Sequence, residues 1–187
     1  MSKKEYRLIY VTGGARSGKS HFAETLITDN FQEEQVIYLA TAGVFDAEMQ
    51  MRVAHHQERR PDHWRTIEAE KDLEPACRSI LESSSALLLD CVTLLVSNTL
   101  LAEDQDDFDP WLIEQKVVQD LKNLLNSCKS KGQYVVIVSN EVGLGIVPEY
   151  KLGRIFRDIA GRVNQWLAQE ADQVYLLVSG LPLKLKG

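Results

Sequence analysis

One stretch of the chain carries the strongest chemistry. Gly13-Gly14-Ala15-Arg16-Ser17-Gly18-Lys19-Ser20 satisfies G-x-x-x-x-G-K-[ST] and lies between an apolar strand-like run, Arg7 to Val11, and a helical pattern from Lys19 to about Asp29. A triphosphate carries several negative charges, so a loop that holds one must turn backbone N–H groups inward and deliver them at a helix N-terminus. Gly13, Gly14 and Gly18 supply the freedom, including φ > 0, that such a turn needs. Lys19 brings an ammonium to the β- and γ-phosphates, and the Ser20 hydroxyl is suited to ligate Mg²⁺. Average residue frequencies give this pattern by accident in about one chain in a hundred of this length. Correct strand and helix context makes accident rarer still, and the segment is read as a nucleoside-triphosphate site.

Two further groups carry chemistry. Leu87-Leu88-Leu89-Asp90 is an apolar strand that delivers Asp90 to the carboxyl edge of a sheet, where a second carboxylate serves the metal side of such sites or merely caps the strand. The segment Asp46 to Arg60 reads as a helix opened by the N-cap Asp46, and it holds His55 and His56. At helical spacing Met49, Val53, His56 and Arg60 share a face and Arg52 lies four residues before His56, whereas His55 groups with Met51 and Arg59. Two nearby cations lower an imidazole's pKa and keep it neutral and nucleophilic near pH 7. A solvated basic helix with a half-buried histidine fits the same pattern.

The elements that must position these residues follow from periodicity. Arg7 to Val11, Gln35 to Ala40, Ala86 to Asp90, Tyr134 to Ser139 and Val174 to Val178 are continuous apolar runs without in/out alternation, the mark of strands covered on both faces. Helical patterns separate them: Pro110 to Lys131, with Leu112, Val117, Leu121, Leu124 and Leu125 as its stripe, and about Pro148 to Ala171, with Ile155, Phe156, Ile159, Val163, Trp166 and Leu167. The expected class is α/β, a P-loop NTPase core with a mostly parallel sheet flanked by helices. Leu181 to Leu185 alternates and carries Pro182 and Lys184, which suits an antiparallel C-terminal edge strand. The acidic stretch Glu103 to Asp109 reads as a solvated loop.

Composition bounds the rest. The 187 residues fit one domain over 1–187, and 44% hydrophobic with 26% charged residues is globular composition, which excludes disorder and fibrous repeats. A net charge of −6 disfavours a surface that wraps nucleic acid. No apolar run approaches the roughly 20 residues of a membrane span, and no signal segment is legible, so the expected compartment is the cytoplasm. Cys77, Cys91 and Cys128 are odd in number and widely spaced, and read as reduced packing residues.

Five blocks go beyond generic pattern: Val11 to Ser20, His56-Gln57-Glu58-Arg59-Arg60-Pro61, Trp64-Arg65-Thr66-Ile67-Glu68, Asn140 to Pro148, and Phe156 to Gln165. In this order, over nearly the whole chain, they closely resemble the bifunctional adenosylcobinamide kinase/adenosylcobinamide-phosphate guanylyltransferase family. The resemblance implies two reactions in adenosylcobalamin synthesis. ATP or GTP, with Mg²⁺, phosphorylates the aminopropanol hydroxyl of the corrinoid adenosylcobinamide. GMP from GTP is then carried as a guanylyl-histidine to that phosphate, giving adenosylcobinamide-GDP. The resemblance places the guanylylated residue, in H-x-x-x-R-P, on His56, and nucleotide contacts on Gly13 to Ser20, on Thr41, Ala42 and Gly43, on Gln57, Glu58, Arg59 and Arg60, and on Glu68 and Asp90. Many members have Glu where Asp90 stands. It also implies a homotrimer.

The chemistry agrees with these residue types. Transfer through nitrogen needs a neutral histidine and cationic help for pyrophosphate, which Arg52, Arg59 or Arg60 can give. A general base for phosphorylation is not identified by spacing. Glu141 is a candidate, and a structural role in its Gly-rich turn is the alternative. A P-loop kinase of another alcohol and a nucleotide-dependent switch compete with this reading, and the lack of an N-K-x-D guanine motif counts against the switch.

His56→Asn is expected to abolish the acid-labile label left on the denatured protein by GTP labelled at the α-phosphate, and His55→Asn to retain it. The reverse pattern would move the nucleophile by one residue.

Overall fold

Apolar strands covered on both faces need a partner layer on each side, and the computed structural model of the chain provides it. Residues 6–31, 35–43, 61–82, 85–104 and 107–187 are described. The helix expected from Asp46 to Arg60, with His55 and His56, lies outside them.

The strands are β1 (Arg7–Gly13), β2 (Val36–Ala40), β3 (Arg65–Glu68), β4 (Ala86–Asp90), β5 (Tyr134–Val138), β6 (Gln173–Val178) and β7 (Leu181–Lys186). They form one seven-stranded sheet in the order β3-β2-β4-β5-β1-β6-β7. All neighbours pair in parallel except β6 and β7, so the C-terminal segment returns as the expected antiparallel edge. The helices among the described residues are α1 (Lys19–Thr28), α2 (Glu74–Glu82), α3 (Val92–Leu101), α4 (Pro110–Lys131) and α5 (Lys151–Glu170). None is long and apolar enough to cross a membrane.

Successive side chains of a strand point to opposite faces, and the core divides accordingly. Ile9, Val11, Tyr38, Leu88, Val136 and Val138 pack with Ala23 and Ile27 of α1. Leu8, Tyr10, Ile37, Leu39, Leu87, Leu89, Val135 and Ile137 pack against α2 to α5. Burying each Leu, Ile or Val contributes roughly 1.5–3 kcal/mol, so these two layers hold the strand ends in register. Cys77, Cys91 and Cys128 are free and buried.

Helix α4 starts and stops where its sequence signals lie. Asp109 accepts the Trp111 N–H at 2.9 Å, Pro110 opens the first turn, and Gly132 closes the helix at φ 64°. Its stripe departs from expectation at one position. Leu112 is exposed and Ile113 is buried instead, because the buried row runs through Val117, Leu121, Leu124 and Cys128, with which Ile113 is in phase.

Three elements were not expected. β3 has four residues, only Ile67 of them shielded, and α2 spans about two and a half turns. Helix α3 is apolar nearly all round, and such a helix shows no period to read. The last helix begins at Lys151 rather than near Pro148, because residues 141–150 form a turn whose carbonyls at Pro148 and Glu149 accept from Arg154 Nη1 at 3.1 and 2.5 Å.

Candidate active site

β1 lies between β5 and β6, so the chain that leaves it is framed by the turns that leave its neighbours. The Glu141 N–H donates to the Gly13 carbonyl at 2.9 Å, and the Gly180 N–H donates to the Ser17 carbonyl at 2.9 Å. Gly13 takes φ 152°, and a Cβ there would stand 2.5 Å from the Leu177 carbonyl oxygen and 2.8 Å from Ser17 Oγ. Gly18 takes φ 92° as the N-cap of α1 and offers no side-chain acceptor, which leaves the first-turn N–H groups for an anion.

The expected role of Gly14 needs correction. Its φ lies outside the left-handed region; the third positive φ of the loop belongs to Arg16, at 56°. A Cβ on Gly14 meets no described atom within 4 Å, so packing does not demand glycine there. The open space above its Cα leaves the backbone there accessible.

Lys19 is only 7% exposed, and its ammonium donates to the Gly14 carbonyl at 2.6 Å. Burial lowers its pKa, while Cys91 and Asp90 nearby pull the other way. Ser17 Oγ is buried without a hydrogen-bond partner among the described residues. A cationic tip, open N–H groups and an orphan hydroxyl at one turn suit a polyanion.

The two carboxylates come together through register. Ala40 is paired with Glu68 on one side and Asp90 on the other, so the three residues form a row at the carboxyl ends of β3, β2 and β4. Two strand spacings put the carboxylate-bearing backbones roughly 10 Å apart. Tyr38, buried two residues before Ala40, donates its O–H to Asp90 Oδ2 at 2.9 Å. Glu68 is exposed.

Thr41, Ala42 and Gly43 follow directly. Thr41 is fully buried, and its hydroxyl spans the end of β4: Oγ1 lies 2.7 Å from the Cys91 carbonyl and accepts the Cys91 N–H at 2.8 Å. Asn98 of α3 donates to the Thr41 carbonyl at 2.8 Å and the Glu70 carbonyl at 3.1 Å. The Thr41 side chain is thus committed to the scaffold, and with half-buried Ala42 and buried Gly43 it forms a shelf at the end of β2.

A second polar network braces the next strand. Asn140 donates to Thr93 Oγ1 at 2.7 Å, Asn164 donates to the Asn140 carbonyl at 3.0 Å, and the Ser139 hydroxyl donates to Asn164 Oδ1 at 2.7 Å. Glu141 does take the turn role: its Oε1 accepts the Gly143 N–H at 2.6 Å, while Arg157 donates to the Gly143 carbonyl at 2.8 Å.

Gly13 to Ser20, Thr41 to Gly43, Glu68 and Asp90 therefore share one sheet edge. His56 and Gln57 to Arg60, with His55 and Arg52, lie outside the described residues. Tyr38, Asn98 and Thr93 carry no motif that the sequence shows, whereas Asn140 opens the block Asn140 to Pro148, directly after an apolar strand. Among the described residues no group of three His, Cys, Asp or Glu could hold a metal ion.

The family model for cobinamide kinase / cobinamide phosphate guanyltransferase matches residues 9–185. The bifunctional adenosylcobalamin biosynthesis protein CobU of Escherichia coli (strain K12) is 46% identical over 183 residues, 96% of this chain and 99% of that protein. The protein of the same name from Salmonella typhimurium is also 46% identical over 183 residues, with 96% and 99% covered. The bifunctional adenosylcobalamin biosynthesis protein CobP of Pseudomonas aeruginosa is 40% identical over 177 residues, with 95% and 96% covered.

The loop geometry separates its glycines. Gly13→Ala is expected to lower stability by about 2 kcal/mol or more, through the clash with Leu177 and the positive φ. Gly14→Ala should leave the denaturation midpoint unchanged and raise the nucleotide Kd at least tenfold. Equal effects on stability would contradict this division.

Proposed function

Since the chain belongs to the cobinamide kinase / cobinamide phosphate guanyltransferase family, we propose that it acts twice on one acceptor. A nucleoside triphosphate phosphorylates the hydroxyl of the aminopropanol arm of adenosylcobinamide. GMP from GTP then passes through a guanylyl-histidine to the new phosphate, with release of pyrophosphate, to give adenosylcobinamide-GDP. The observation that carries the reading is the phosphate loop, cast by its neighbouring strands and lying at the same sheet edge as the Glu68–Ala40–Asp90 row.

In the kinase step the loop N–H groups hold the phosphates, and Lys19 swings from the Gly14 carbonyl onto the transferring group. Ser20 would hold Mg²⁺, and its oxygen donor suits that hard cation. When bound, the ion neutralises phosphate charge. In the nucleotidyl step His56 attacks the α-phosphorus with a ring nitrogen, and the arginines of its segment stabilise departing pyrophosphate. Asp90, oriented by the Tyr38 hydroxyl, accepts the N1–H and N2–H₂ donors of guanine, with Glu68 as the second carboxylate in reach of the base. Adenine lacks that donor pair. A homotrimer of the chain would cover Leu181, Leu183 and Leu185, which stand exposed along β7.

With adenosylcobinamide and γ-labelled ATP or GTP, the protein is expected to form labelled adenosylcobinamide phosphate. A chase with α-labelled GTP should then yield adenosylcobinamide-GDP. Failure to form either product ends this reading.

Asp90→Asn turns an acceptor into an amide donor facing N2–H₂, whereas xanthosine triphosphate presents an oxygen there. Mispairing one buried polar group costs about 1 to 3 kcal/mol, so guanylylation with GTP should fall about ten- to a hundredfold relative to xanthosine triphosphate. The check is that efficiency ratio at saturating Mg²⁺. An unchanged ratio would remove Asp90 from base recognition.

A further inference from the structure

A cleft of about 360 Å³ opens beside the phosphate loop, and apart from Ala15 its lining takes no part in the nucleotide contacts described above. Its wall joins Ala15 of the loop to Leu94 and Ser97 of α3, Asn140 and Glu141 after β5, and Phe156 of α5. Two features tie it to phosphoryl transfer. Ala15 belongs both to the loop and to the cleft, and Glu141, whose backbone N–H donates to the Gly13 carbonyl at 2.9 Å, lines the same cleft.

The lining mixes apolar with polar groups, as a pocket for a short substituted chain requires. The volume lies at the low end of the roughly 300–1,000 Å³ of ligand pockets, enough for an arm and too little for a macrocycle. From the cleft wall at Val142 the chain runs into a turn that exposes Leu144 (87%) and Ile146 (96%). Arg157 and Arg154 hold that turn through the Gly143, Pro148 and Glu149 carbonyls. Apolar side chains presented to water on a pinned turn that continues from the cleft wall suit the rim of a large ring system.

We propose that this cleft is the acceptor subsite of the kinase step: it takes the hydroxyl-bearing arm of the corrinoid, and the Glu141 carboxylate accepts the hydroxyl proton. This rests on the kinase reading above. The arm's O–H bond breaks toward the carboxylate, and the oxygen's electron pair forms the new bond to the γ-phosphorus. The bond from that phosphorus to the bridging oxygen breaks with its pair leaving on the nucleoside diphosphate. Glu141, now protonated, returns its proton to water. The turn role of Glu141 is compatible with this, since the Gly143 N–H engages Oε1 and fixes the carboxylate's direction. The macrocycle stays outside, against Leu144 and Ile146.

Three variants test it on the full chain, with adenosylcobinamide as acceptor. Glu141→Gln keeps an acceptor for the Gly143 N–H and removes the base, so kcat for phosphorylation should fall a hundredfold or more while the acceptor KM stays within threefold. Ser97→Leu narrows the cleft and should raise the acceptor KM at least tenfold with the nucleotide KM within twofold. Leu144→Ser combined with Ile146→Ser changes only exposed side chains, which protects the test against loss of folding, and should raise the acceptor KM at least fivefold with kcat retained. A kcat within threefold of wild type in the first variant, or an unchanged acceptor KM in both of the others, overturns the assignment. Wild-type protein that phosphorylates no adenosylcobinamide would end the kinase reading itself, and the cleft assignment with it. Active wild type with indifferent variants ends the cleft assignment alone.

Discussion

The carbonyl oxygen of Leu177 stands where a side chain on Gly13 would have to go, and the phosphate loop depends on that contact. Because β1 is held between β5 and β6, its exit is walled by two neighbouring strands, and the chain has one way out. The walls then become hydrogen-bond donors: Glu141 from the turn after β5 and Gly180 from the turn after β6 tie down Gly13 and Ser17. The loop is therefore shaped by residues more than 100 positions away in sequence. Nothing in its own eight residues could hold an anion-binding turn so firmly.

The same logic explains which parts of the architecture were legible from residues alone. β1, β2, β4 and β5 announce themselves because strands buried on both faces must be apolar throughout, and α4 because Asp109, Pro110 and Gly132 mark its ends. β3 gave no such signal, since an edge strand with one shielded residue needs no apolar run. Val92–Leu101 hid for the opposite reason, being buried on so many sides that no period survives. Of the site, the phosphate loop and Asp90 could be read because local residue types define them. Tyr38 meeting Asp90 and Asn98 reaching Thr41 could not, because those hydrogen bonds join residues more than 50 positions apart that only the sheet brings together.

Two polar networks share the task of stiffening the carboxyl edge. One runs from Thr41 to the end of β4 and on to α3, and the other from Ser139 and Asn140 to α3 and α5. Helix α3 belongs to both. Buried amides and hydroxyls satisfied in this way favour one arrangement, because breaking any member strands its partner without water. The shelf at the end of β2 and the cleft beside the loop thus have a common support.

The buried thiols have a consequence for how the molecule can be watched. Burial pushes the Cys91 thiol up to about 11, and raises Cys77 and Cys128 as well, so none presents a reactive thiolate while the chain is folded. Cys91 lies under the shelf beside Asp90, Cys77 on α2 and Cys128 near the end of α4. Three silent reporters are thereby built into three different elements. A thiol-reactive reagent becomes a clock for opening, and its rate at each cysteine tells which layer lets go first.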